Sequence, residues 1–216
     1  MGRRTTRRSI LLTCILVALA GGQSFAQSLL REQDEGTARR NYGDPLPGDE
    51  DGGAPYTRGM SIIDAARAGG VAEARSAFLI GESVNSRTRR GAPALLVAAQ
   101  AGNVAVLRFL LENGANPDLF EKSSGKTALI AAAESGDSSM IHLLLEHKAD
   151  PNHQDRQGEN ALMKAARIGA ADVVTQLLGS GLEVNATDYA GHGAVWHAQD
   201  ARNPRIAKMI QAAGGT

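Results

Sequence analysis

The sequence predicts an all-α fold: a solenoid of about five helix-turn-helix repeats behind an N-terminal signal peptide and a linker. Three observations predict it. The blocks Gly91-Ala92-Pro93-Ala94-Leu95-Leu96-Val97-Ala98-Ala99, Gly125-Lys126-Thr127-Ala128-Leu129-Ile130-Ala131-Ala132-Ala133 and Gly158-Glu159-Asn160-Ala161-Leu162-Met163-Lys164-Ala165-Ala166 begin 34 and 33 residues apart, each with a Leu four places after its Gly. Each block is followed at the same offset by another glycine, Gly102, Gly136 and Gly169. An apolar run then ends in Leu110-Leu111, Leu144-Leu145 or Leu177-Leu178, and a closing phrase follows: Gly114 to Asp118, Lys148 to Asn152, Gly181 to Asn185. Self-similarity at about 33 residues marks a repeat architecture.

Taken in order, the chain opens on Arg3, Arg4, Arg7 and Arg8, an apolar run from Ile10 to Ala20, Gly21-Gly22, and the small residues of Ser24-Phe25-Ala26. This is the composition of a secretory signal, residues 1–26, with cleavage expected after Ala26. Eleven apolar residues fall short of the roughly 20 that span a bilayer, so no stable membrane anchor is expected. Thr6 to Leu11 is similar to a twin-arginine export signal but lacks the usual Phe and Lys, and the general route is the first expectation. Cleavage would leave 19 basic against 23 acidic residues, a net charge of −4. It would also remove Cys14, the one cysteine, leaving neither disulfide nor thiol nucleophile.

Residues 27–58 carry no periodicity. Asp44, Asp49, Glu50 and Asp51 lie among Pro45, Pro47, Gly48, Gly52 and Gly53, so this stretch reads as a flexible acidic linker. Residues 59–216 hold the repeats, at about 59–85, 86–118, 119–152, 153–185 and 186–216. With 43% hydrophobic but only 4% aromatic residues, the chain suits small alanine-rich helices in layers rather than a large aromatic core.

Within a unit, Leu95, Ala98 and Ala99 share one helical face, and Gly102 ends that helix at a position needing positive φ. Val104, Leu107, Leu110 and Leu111 form the stripe of a second helix, ended by Gly114. Neither helix can cover its stripe alone, so the units must stack. In the last unit Arg202 replaces the turn glycine and Ile210-Gln211 the Leu pair, as suits a terminal repeat whose outer side meets water.

These residues resemble the ankyrin repeat pattern, Gly-x-Thr-Pro-Leu-His-x-Ala-Ala, then Gly, Leu-Leu and Gly-Ala-Asp-x-Asn. Gly125 to Ala133 and Ala149-Asp150-Pro151-Asn152 match it best, and no repeat has the complete Thr-Pro-Leu-His. The resemblance implies a β-turn finger and two antiparallel helices per repeat, a curved stack with a concave groove, a protein partner and no catalytic activity. Similarity to exported bacterial members implies a periplasmic monomer supporting an envelope or peroxide-detoxifying enzyme such as catalase. The alternatives are a secreted effector acting in a host, or a groove that binds or converts a small ligand.

The family's partner-binding positions, the finger tips and the solvent side of the first helix, carry over to Arg67, Arg89, Arg90, Phe120, Lys126, Arg156, Arg167 and Tyr189. Six of these are basic, against the acidic Glu134, Glu159 and Asp200 on the same surface. An acidic partner surface is the expectation, arginine offering planar, forked donors. Phe120 and Tyr189 would be contact anchors. Trp196 fills the slot of Leu96, Ile130 and Met163, so it is expected in the stacking core.

A formal net charge of zero for the whole chain argues against a nucleic-acid binder. His142, His147 and His153 are five and six residues apart, and His192 and His197 five, spacings that fit neither one helix face nor a zinc finger. No metal, cofactor or catalytic residue is expected, since neither a nucleophile elbow nor a phosphate loop is present.

Overall fold

The computed structural model describes residues 60–216; the signal peptide and acidic linker expected over residues 1–58 lie outside them. The described residues contain ten helices and no strand: α1 (Ile62–Ala68), α2 (Val71–Leu79), α3 (Ala94–Gln100), α4 (Val104–Glu112), α5 (Ala128–Ser135), α6 (Ser138–Glu146), α7 (Ala161–Ile168), α8 (Ala171–Leu178), α9 (Ala194–Asp200) and α10 (Pro204–Ala212).

Local chemistry sets the ends. Ser61, Thr127 and Asn160 occupy the N-caps of α1, α5 and α7, where each side-chain oxygen accepts a hydrogen bond from a first-turn N–H. That satisfies donors the helix itself leaves open. Gly69, Gly136 and Gly169 close the same helices at φ of 84°, 73° and 82°. Pro204 opens α10 at a position where its missing N–H costs nothing.

Helices so short have little intrinsic stability in water, and packing holds them. The first helices of the hairpins stack in one layer and the second helices in another. Between first helices lie Leu96, Leu129, Ile130, Leu162 and Met163, all buried. Between second helices lie Leu107, Leu110, Met140, Ile141, Leu144, Val173, Val174 and Leu177. Each such side chain is worth about 1.5–3 kcal/mol when taken from water. The Ala-Ala pairs Ala98-Ala99, Ala132-Ala133 and Ala165-Ala166 are buried as well, letting the two layers approach closely.

A polar ladder runs beside this core. The closing residue of each repeat accepts a backbone N–H from the next: Asn85 from Asn116 (2.9 Å), Asp118 from Asp150 (2.8 Å), Asn152 from Glu183 (2.7 Å) and Asn185 from Thr216 (3.0 Å). Asn103 and Asn203 donate across repeats to the last carbonyls of α1 and α7.

Among the described residues two that are not glycine adopt left-handed backbone, Lys148 (φ 64°) and Arg202 (φ 58°). They stand where the other repeats use glycine, as the alignment indicates. An L-residue there costs about 1–2 kcal/mol, partly offset in a comparison with glycine by the latter's greater unfolded-state freedom. Arg202→Gly should therefore raise stability by roughly 0.5–1 kcal/mol, measured as a shift in the urea midpoint at constant slope.

Candidate functional site

The loops that connect the hairpins project as fingers, each with a backbone bond across its base: Thr88 N–H to Ala92 (2.8 Å), Glu121 to Lys126 (3.0 Å), Asp155 to Glu159 (3.0 Å) and Asp188 to His192 (3.0 Å). The finger holding Ser123-Ser124 is one residue longer, which accounts for the offset of 34 where the next is 33. The residue opening the turn braces it. Asp155 Oδ1 accepts from Gln157 and Glu159 N–H, and Asp188 Oδ1 from Ala190 and His192 N–H.

Neighbouring fingers also hold one another. Arg156 N–H donates to Ser124 (3.0 Å) and Tyr189 N–H to Gln157 (3.2 Å), while the Arg87 guanidinium reaches the Phe120 carbonyl (2.9 Å). Gly158 lies beneath Tyr189 at φ 80°, where a Cβ would come within 2.7 Å of the Tyr189 nitrogen. Only glycine fits both the conformation and the gap.

On this frame the eight residues expected to bind a partner divide into three groups. Arg89, Arg90 and Arg156 sit exposed at finger tips, Arg67 exposed near the end of α1, and among the described residues none of the four makes an ion pair. Tyr189 (77% exposed) is an aromatic finger tip, while Phe120 stands at the base of its finger just before the turn, its ring 5.4 Å from that of His153. Lys126 and Arg167 are already held by carboxylates of the chain. Lys126 Nζ lies 2.8 Å from Glu134, and Arg167 lies 2.9 Å from Glu159. Glu159 itself is buried rather than facing solvent, its carboxylate held under the finger by Arg167 and by Lys164.

Trp196 also departs from expectation. Its side chain is 41% exposed, since no further repeat covers that slot among the described residues, and its ring stacks on His192 at 3.7 Å.

Beneath the fingers runs a line of charge that spacing along the chain did not indicate. Lys164, 3% exposed, donates to Glu159, lies 2.9 Å from Asp155 Oδ2 and 3.4 Å from Glu134. One repeat on, His197 Nε2 lies 3.0 Å from Asp188 Oδ2 and 3.8 Å from Glu159 Oε1. The two repeats use one plan: a finger Asp with one oxygen on backbone N–H groups and the other on a buried side chain nine residues later. The signal in the sequence was Lys164 and His197 in the slot that Val97 and Ala131 fill elsewhere.

Burial opposes the charge on Lys164, but the hydrogen bonds to Glu159 and Asp155 outweigh it and raise the ammonium above its ordinary 10.5. Burial likewise opposes the charge on Asp188. The N–H groups of His192 and Ala190, then the His197 side chain, outweigh it and hold the carboxyl below 3.8. The raised lysine contributes stability that is complete below pH 10.5 and lost as pH climbs through its folded-state value. The lowered aspartate contributes stability present above pH 3.8 and lost as pH falls through its folded-state value. Lys164→Met should cost about 3–5 kcal/mol at neutral pH, because it strands buried carboxylates. It should also flatten the alkaline decline of the unfolding free energy, both read from urea titrations across pH.

Two surface depressions, of about 580 and 490 Å³, lie on the second-helix layer: one along α10 from Pro204 to Ala212, the other between α6 and α8 near His142 and Gln176. No described helix is long and apolar enough to cross a membrane. No curated protein matches the chain. The sequence pattern of ankyrin repeats matches in three copies, over residues 62–155, 95–188 and 132–214. Ankyrin repeats generally form non-catalytic protein–protein interaction modules, and with the match running from residue 62 to residue 214 the chain belongs to the ankyrin repeat family.

Proposed function

We propose that the chain is an exported, non-catalytic docking protein of the bacterial periplasm whose finger and first-helix face holds a partner by its acidic surface. The observation that carries this is the set of exposed arginines Arg67, Arg89, Arg90 and Arg156, without ion-pair partners among the described residues, beside the exposed aromatics Phe120 and Tyr189 of the fingers. Cations held by internal carboxylates have little left for a partner; Lys126 and Arg167 therefore contribute less than these four. An exposed arginine sheds its water on docking, but a guanidinium is more weakly hydrated than an ammonium and offers two parallel donors to a carboxylate. The two depressions described above lie on the second-helix layer, away from this face.

Two measurements test the parts separately. The triple change Arg89→Glu, Arg90→Glu and Arg156→Glu should abolish capture of the partner from periplasmic extract while leaving the melting curve cooperative. Capture unchanged by it would refute the finger face. A phosphatase active only after export, fused after Ala26, should be active in cells, and cytoplasmic retention would refute the compartment.

A further inference from the structure

We propose that Glu159, Asp188 and His197 form a binding site for a divalent transition-metal ion that joins the fourth and fifth repeats and displaces Arg167 from Glu159. Each of the three residues presents one ligand atom, and these atoms lie within 4.8 Å of one another. His197 Nε2 is 3.0 Å from Asp188 Oδ2 and 3.8 Å from Glu159 Oε1. A tetrahedral ion with bonds of about 2.1 Å sets its ligands about 3.4 Å apart. Each of these two separations is thus within about half an ångström of what such an ion demands.

The ligands come from rigid supports. Glu159 stands at the base of one finger, Asp188 opens the next with its other oxygen bound to two backbone N–H groups, and His197 lies on α9. A donor set of two carboxylates and one imidazole suits zinc or manganese better than calcium, which takes oxygen ligands only, or copper(I), which seeks sulfur.

Charge points the same way. Glu134, Asp155, Glu159 and Asp188 are four carboxylates, against three fixed cations, Lys126, Lys164 and Arg167. The arrangement carries one uncompensated negative charge in a place where the side chains of Lys164 and Asp155 are 3% and 0% exposed. Arg167 is the member able to leave: its side chain is 44% exposed and its bond is to Glu159 Oε1, the oxygen that faces His197. With Arg167 turned to solvent the excess becomes two, the charge of the ion. Lys164 stays on the other Glu159 oxygen, leaving Oε1 to the metal. Among the described residues the surface histidine His142 is paired only with Glu146 on α6 and has no such surroundings. The site stands whether or not the finger face docks a protein.

The test is calorimetric titration of the purified, chelator-treated protein with zinc chloride alone. One ion per chain is expected, at micromolar affinity or tighter. Asp188→Asn and His197→Ala should each weaken it at least tenfold, and His142→Ala should leave it unchanged. Arg167→Ala should tighten it several-fold, because it removes the internal competitor for Glu159; adventitious binding to a surface histidine would not respond so. Cobalt(II) in place of zinc should give the intense visible bands of a tetrahedral site. No binding, binding indifferent to His197→Ala, or an unchanged or weakened affinity in Arg167→Ala would each overturn the proposal. Where a ligand variant fails to fold by circular dichroism, the Arg167→Ala result decides.

Discussion

No hairpin in this chain can cover its own apolar stripe. Leu129, Ile130 and Met140 of the third repeat are hidden only because other hairpins lie on either side of it. Each hairpin is therefore stable to the extent that its neighbours are in place, and the stability of the array is largely a sum over interfaces. The closing-residue ladder from Asn85 to Thr216 follows the same logic in polar form, since every bond in it joins one repeat to the next. The fingers need no core of their own because they lean on one another through Arg156, Tyr189 and the Arg87 guanidinium.

What was legible in the sequence was whatever repeats. The glycine and leucine positions marked where helices end and which faces meet, and Lys148 and Arg202 could be placed by alignment even though neither is glycine. What was not legible depends on contacts between repeats. Glu159 looked like a solvent-facing residue because its position commonly is; the side chains of Lys164, Arg167 and His197 draw it inward. Trp196 looked like core because its counterparts Leu96, Ile130 and Met163 are, and its own surroundings lack the covering neighbour those have. Histidine spacing alone was silent about a cluster whose members come from two fingers and one helix.

The two halves of the array consequently differ in character. From α1 through α4 the buried side chains are apolar, Ile62, Leu95, Leu96, Leu107 and Leu110 among them, and the polar contacts between repeats are hydrogen bonds such as those of Asn85 and Asn103. From Lys126 onward a second system, charge that is half-buried at Lys126 and Glu134 and buried from Asp155 on, runs alongside the apolar one as far as His197. Apolar contact tolerates small shifts, whereas an ammonium held among three carboxylates has a narrow geometry. The finger face is therefore held most tightly in its later repeats, while Arg67, Arg89 and Arg90, without an ion pair among the described residues, stand on the earlier ones.

Arrays of this kind change length in evolution by copying or deleting whole units, and the Lys164 arrangement limits where that can happen. Duplicating the second hairpin places one alanine-and-leucine interface against another like it. Excising the fourth would leave Asp188 and His197 facing a repeat with Lys126 and Glu134 but no counterpart of Glu159, and a copy inserted after Asn185 would part His197 from that carboxylate. Lineages carrying this protein should accordingly vary in repeat number toward the front of the array and keep the last three hairpins as one inherited block.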